Sequence, residues 1–462
     1  MNARRTTIRR SIYVSWILAL ASPPLLASPP LEAADPSYSH WPSFRGRGAA
    51  GAADGPATPT RWNVKKGENL AWRTPVPGLG LSSPVVWGNR IFITTAVSEK
   101  GKAKLKPGLY GAIEPVDDSS RHQWKLICVD KTTGRIRWQR TAHSGVPRIK
   151  RHPKSSHANS TPATDGERVV AFFGSEGLFC YTVEGEFVWT KNFGVLDSGY
   201  YRVPSAQWEF GSSPVIRQEK VIVQCDIQDG GFVAALDVRT GNEIWRTARD
   251  DVPSWSTPAV HVGPERSQVI LNGYRHIGGY ALATGKELWR MTGGGDIPVP
   301  TPVIGPDLVY ITNSHGRLRP IYAVRLSAQG DVTLGENDAA NEHVAWSHRH
   351  RGNYMQTPIL VDGLLYCCSD RGILGCYDCR TGETKYLQRV GLGASGFTAS
   401  PVSSGDGIYL TNENGDVHVI RAGPKFQIIR VNRLDETCLA TPAISEGRLY
   451  FRGRSHLIAI GR

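Results

Sequence analysis

Cys376 and Cys379 stand in a C-x-x-C spacing inside GCYDCRTGETKY, an arrangement used by redox dithiols and by half of a zinc site. A vicinal pair, Cys367-Cys368, lies just upstream in GLLYCCSDRG. His348-x-His350 would project two imidazoles to one side of an extended segment, but no third ligand accompanies it. There is no G-x-S-x-G, Walker loop or H-E-x-x-H in the chain. Whether the cysteines do chemistry depends on what their neighbours repeat elsewhere.

The neighbours repeat eight times. Ser or Thr, then Pro, then a small or branched apolar residue occurs at Ser83-Pro84, Thr161-Pro162, Ser213-Pro214, Thr257-Pro258, Thr301-Pro302, Thr357-Pro358, Ser400-Pro401 and Thr441-Pro442. Most of the intervals are close to 40–55 residues, the period of a propeller blade. After each Pro come an apolar stretch, a turn, and a β-rich run such as DLVYITNSHG or DGIYLTNENG. A third strand follows, then a turn and an aromatic residue, as in VDKTTGRIRW and LDVRTGNEIW. The tryptophans of this unit (Trp138, Trp189, Trp245, Trp289) would sit on the outer strand and wedge between blades.

The expected fold is all-β: an eight-bladed β-propeller of four-stranded antiparallel blades, over residues 61–462, with 22–60 as an N-terminal extension. Residues 68–78 read as an outer strand without inner partners, and the C-terminal RLYFRGRSHLIAIGR as inner strands without an outer one. The two ends should share a blade and remove the open edge. In this register Cys376 aligns with Cys128 and Ala235, small residues on a buried third strand, so C-x-x-C is a coincidence of the repeat. Cys367 and Cys368 fall within a second strand, where adjacent side chains face opposite ways, which opposes a bond between them. A long insertion over residues 96–123 reads as a surface excursion.

The chain has 462 residues, 40% hydrophobic and 21% charged, with a formal net charge of +13. That composition builds a large core and excludes a multispanning membrane protein. Arg4, Arg5, Arg9 and Arg10 precede a short apolar run, Ser11 to Leu20, and Ala19-Leu20-Ala21 fits a cleavage site. Residues 1–21 therefore read as a signal peptide, with a membrane anchor as the alternative. No cysteine follows the run until Cys128, so a lipid anchor is not expected. The mature chain should be periplasmic or otherwise exported, monomeric and without a transmembrane span. Its positive charge could meet anionic partners or serve solubility alone, and no specific nucleic-acid binding is expected.

The D-x-x-T-G-x-x-x-W unit, its eightfold recurrence and the opening segment HWPSFRGRGAAG (His40 to Gly51) resemble the pyrroloquinoline-quinone-like β-propeller repeat family. The resemblance implies one of three roles: a quinone- and calcium-dependent dehydrogenase, a scaffold lipoprotein of outer-membrane barrel assembly, or an exported homologue without assigned activity. A calcium ligand set is not found by motif, and no catalytic residue or metal ligand is assigned. Two readings of function stand. One is a binding or scaffold propeller for protein, polysaccharide or small polar ligands of the cell envelope. The other is an oxidoreductase using the quinone PQQ with calcium.

The residues just before each Ser/Thr-Pro should ring one mouth of the central channel. They place His157, Asn159, Trp208, Glu209, Trp255, Arg349, Tyr354, Phe397, Asp435 and Glu436 around that opening. The basic runs RIKRHPKSSH and HRHRGNY should overhang it as a cationic rim. Aromatic rings with carboxylates and guanidinium groups suit a polar ligand with aromatic or sugar-like faces.

Overall fold

The computed structural model describes residues 1–2, 40–110, 114–391 and 395–461. The expected signal peptide lies outside the described residues apart from its first two. The unit Pro36–Arg462 carries the ring. Blade 1 consists of Val85–Trp87, Arg90–Ser98, His122–Asp130 and Ile136–Gly145, paired in that order from the channel outwards. Blades 2 to 7 repeat the meander, their innermost strands at Ala163–Thr164, Val215–Arg217, Ala259–Val262, Val303–Ile304, Ile359–Val361 and Val402–Ser404. In blade 8 the strands Ala443–Ser445, Arg448–Arg452 and His456–Ile460 take Leu70–Pro75 as their outermost, antiparallel partner. The ends of the chain thus close the ring as the orphan strands require. Two short parallel strands are added: Gly330–Asp331 outside blade 4 and Ala52–Ala53 inside blade 7.

The Ser/Thr-Pro repeat holds the ring from within. The Ser83 N–H donates to Thr161 Oγ1 at 2.9 Å, Thr161 N–H to Ser213 Oγ at 3.0 Å, and Ser213 N–H to Thr257 Oγ1 at 3.1 Å. The pattern resumes from Thr301 to Thr357, Ser400 and Thr441. Blade after blade offers a hydroxyl to its neighbour, which explains why the position is Ser or Thr, never Ala.

In five blades the outer strand is held against the next blade by a tryptophan. Trp138 Nε1 donates to the Val183 carbonyl at 3.2 Å, Trp189 to Val238 at 2.9 Å, Trp245 to Leu282 at 3.0 Å, and Trp72 to Lys131 at 3.0 Å. Each indole lies on the turn glycine of the next blade. A Cβ on Gly241 would stand 2.6 Å from Trp189. Trp346, on the outer strand Val344–His348, docks on blade 6 in the same way at Gly382. Trp289 departs from the pattern: its Nε1 bonds Gln268 Oε1 within its own blade at 3.0 Å, because blade 5 carries no Thr-Gly turn to receive it.

The apolar core is distributed between facing blades. One cluster joins blades 6 and 7 through Cys368, Cys376, Tyr386 and Ile408, and another joins blades 5 and 6 through Cys367, Cys379 and Trp346. Cys367 and Cys368 therefore face opposite sides of one sheet, and so do Cys376 and Cys379. All eight cysteines are free, and burial pushes the Cys376 thiol up to about 11.

The segment after His40 plugs the channel. The Arg45 guanidinium donates to the carbonyls of Ala49, Ala50, Pro358 and Pro401. Fully buried, it is held down to about 9 by desolvation alone. Gly51 lets it pass, since a Cβ there would collide with Nη2.

Candidate functional site

The connections between blades and those between second and third strands emerge on one face. They enclose a cavity of about 650 Å³ in the channel mouth. Its floor is Phe44 of the plug and the ring of Ser/Thr hydroxyls, all eight of which line it.

One wall is aromatic. Tyr200 and Trp208 stack in parallel at 5.7 Å and 1°, and Trp208 leans on Trp255 at 5.7 Å. Trp255 is anchored: its Nε1 donates to the Glu209 carbonyl at 2.7 Å, and its ring lies on Gly211, where a Cβ would come within 2.8 Å. Tyr354 stacks on His315 at 5.7 Å, and burial raises its hydroxyl above the usual range. His315 Nδ1 is held 2.5 Å from Asp296 Oδ1.

Charge enters from Lys154, Asp370, Arg371 and His152, which also line the cavity. Lys154 is paired with the buried Glu413, whose carboxylate also accepts the Thr398 hydroxyl at 2.7 Å.

The roof is the insertion within blade 1, a strap over residues 99–121 of which 111–113 are not described. Against the expectation of a surface excursion, it is tied across the mouth. Arg454 Nη2 donates to the Ala103 carbonyl at 2.7 Å, Arg151 Nη2 to Lys104 at 3.1 Å, and Lys106 N–H to Pro153 at 3.0 Å. Gly108 N–H reaches Glu413 Oε2 at 2.5 Å, and Val116 N–H the Arg151 carbonyl at 2.8 Å.

The residues expected at the mouth separate into groups. Asn159, Trp208, Trp255 and Tyr354 line the cavity. His157 and Glu209 lie behind its wall, hydrogen-bonded to each other and both buried. Glu209 takes a φ of 70°, and burial raises its carboxyl well above the usual range. Phe397 packs on His418 and over Gly372. Glu436 is engaged by His456 Nδ1 at 2.7 Å and Arg73 at 3.1 Å, Asp435 stands 3.5 Å from Lys65, and Arg349 is exposed. Of the basic runs, Arg151 is buried and holds the strap, Lys150 pairs with Asp117, and Arg148 caps the Ser175 carbonyl. His348 Nε2 bonds the Gly382 carbonyl at 2.7 Å, away from His350.

A family profile described as outer membrane protein assembly factor BamB matches residues 36–193 and 122–388. The chain belongs to the PQQ-like β-propeller family. Solved relatives share the fold. BamB from Moraxella catarrhalis superposes with TM-score 0.53 at 15% identity, covering 79% of this chain and 98% of that one. A europium-containing methanol dehydrogenase superposes with TM-score 0.60 at 11% identity, covering 90% of both chains. In sequence, the tetrathionate hydrolase of Acidithiobacillus ferrooxidans is 25% identical over 317 residues, 60% of this chain and 57% of that protein. The match therefore spans little more than half of that curated relative. Among the described residues no helix is long and apolar enough to cross a membrane.

The dehydrogenase branch holds its quinone with calcium, which takes six to eight oxygen ligands. The cavity lining offers one carboxylate, Asp370, and one amide oxygen, Asn159 Oδ1. The amide oxygen already accepts the Ser156 N–H and hydroxyl at 2.9 Å each. Six of the eight floor hydroxyls are likewise engaged as acceptors. This donor set does not fit calcium.

Proposed function

We propose that the chain is an exported binding propeller that holds a small, flat, polar ligand in its roofed channel mouth. The observation that carries this reading is the Tyr200–Trp208–Trp255 wall facing a floor of hydroxyls, inside a volume suited to one small molecule. A ring-shaped ligand gains stacking area on the wall and hydrogen bonds from the floor. Arg371 and His152 offer donors to a polar or negative group on it, beside the carboxylate of Asp370. The strap covers the mouth, so a protein or polysaccharide partner of the envelope meets the outer blade edges rather than the channel. The leader-like start of the sequence supports export.

The test is a titration of the purified chain with a panel of flat anions, following tryptophan fluorescence and melting temperature. The panel includes PQQ without calcium, aromatic acids, acidic sugars and, because of the hydrolase relative, tetrathionate. Saturable binding that Trp208→Ala weakens at least tenfold supports the reading. A panel without a hit, or hits indifferent to Trp208→Ala and Arg371→Ala, overturns it.

A further inference from the structure

Behind the aromatic wall lies a cluster that the ligand cavity does not use. His122 opens the third strand of blade 1, His157 stands in the connection to blade 2, and Asp118 ends the strap. One side-chain ligand atom from each lies within 4.8 Å of the other two, and Asp118 Oδ2 is 3.3 Å from His122 Nε2. The two imidazoles meet edge to face, 5.1 Å between centroids.

Both rings are already oriented from behind. His122 Nδ1 is 2.9 Å from the Ser120 carbonyl, which can only accept, so Nδ1 donates there and Nε2 is the nitrogen turned to Asp118. His157 Nδ1 is held by the Glu209 carboxyl group. A backbone carbonyl or a carboxylate on the far nitrogen is the outer support of a metal-binding histidine. His157 Nε2 is buried without a hydrogen-bond partner, and its side chain is 2% exposed. An unpaired ring nitrogen in such a place costs stability unless something binds it.

Glu176, close enough to His157 to act on it through its charge, also carries a buried oxygen, Oε2, without a hydrogen-bond partner.

We propose that Asp118, His122 and His157 bind a divalent ion of the zinc class, completed by water, which fastens the strap over the cavity. Bonds of about 2.0–2.1 Å in a tetrahedron set ligand atoms roughly 3.3 Å apart, a spacing the Asp118–His122 pair already has. Two imidazoles and one carboxylate suit zinc and its neighbours, whereas calcium and magnesium prefer oxygen alone. Trp124 leans on both histidines, at 5.7 Å and 6.3 Å, and none of the three ligand residues lines the ligand cavity, so the ion's role is to hold structure. The proposal does not rest on the ligand reading.

The experiment strips the purified protein with a chelator and dialyses it against Zn²⁺ or Co²⁺ alone. The expected result is one ion per chain, the visible bands of low-symmetry Co²⁺, a higher melting temperature and slower proteolysis within residues 99–116. Asp118→Asn removes the charge of one ligand while keeping a side chain of the same size and an oxygen for Ser120. It and His157→Ala should lose the ion, while the pair Cys376→Ser and Cys379→Ser keeps it. No uptake by the parent chain, or equal uptake by Asp118→Asn and His157→Ala, overturns the site. Uptake without slower strap proteolysis overturns its fastening role.

Discussion

Arg45 Nη1 donates to the carbonyl of Pro401, 356 residues away in sequence, at 2.6 Å. The same guanidinium reaches Pro358 at 2.7 Å, so one side chain from the start of the ring spans its centre to two later blades. Removing it leaves buried carbonyls unpaired, at about 1–3 kcal/mol each. Arg45→Met should therefore lower stability by more than about 3 kcal/mol, measured by denaturant unfolding. Arg47→Met, an exposed neighbour, should change almost nothing. Equal effects of the two would remove the plug from the account of how the ring is held.

The tryptophan docking makes a prediction with its own control. Gly241 and Gly330 both have positive φ, 71° and 68°, so the backbone strain of a side chain is shared. Only Gly241 carries an indole, with Trp189 at 2.6 Å from the added Cβ, while Gly330 has open space. Gly241→Ala should cost roughly 1–3 kcal/mol more than Gly330→Ala through overpacking. Similar losses in thermal unfolding would mean that strain alone decides, and that the indole yields freely.

The D-x-x-T-G unit was legible in the sequence because it is a local device repeated in register. Asp237 Oδ1 accepts the N–H groups of Arg239 and Thr240 at 2.8 and 3.0 Å, and Asp378 repeats this with Arg380 and Thr381. Local hydrogen bonds and a period near 40–55 residues were enough to read the blades and the ring closure. The site was less legible, because propeller register fixes only where a connection starts. Tyr354 and Trp255 stand just before their Ser/Thr-Pro and point where the register sends them. Glu209 and Glu436, similarly placed, turn away, one to His157 and the other to His456 and Arg73. The strap has no repeat grammar at all, so nothing in its sequence announced that Gly108 would meet Glu413, 305 residues on. Asp118 and His122 escaped notice for the same reason, and His157 was read as part of the mouth rather than with them: the spacing of the three follows from the strap and a connection, not from a helix or a single strand.

The turn aspartates also set an acid limb. In Asp237, partial burial pushes the carboxyl up, but the amides of Arg239 and Thr240 outweigh it and the net shift is down. In Asp378 the Thr381 amide is the leading cause, again downward, and Asp130 shifts the same way. A carboxyl depressed in the folded state adds stability that is present above its unfolded pKa of about 3.9 and is lost as pH falls through the folded value. Replacing Asp130, Asp237 and Asp378 by Asn together should flatten the loss of stability below about pH 4 relative to the parent. Parallel acid curves for parent and triple variant would show that other carboxylates carry this limb.

Trp208 and Trp255 touch one another yet should respond differently to truncation. Trp255 is a structural post: it holds the Glu209 carbonyl, rests on Gly211, and fixes a residue whose φ is 70°. Its loss opens a gap under the cavity wall and frees a backbone carbonyl, so Trp255→Ala should cost about 2 kcal/mol or more. Trp208 is half-buried, stacked face to face on Tyr200 and presented to the cavity, so Trp208→Ala should cost less than about 1 kcal/mol of stability. Its effect should instead appear in ligand affinity. A denaturant titration of the two variants separates these roles. If Trp208→Ala proves the more destabilising, the Tyr200–Trp208 pair is a packing contact, and the flat face offered to a ligand must lie on Trp255 and Tyr354 instead.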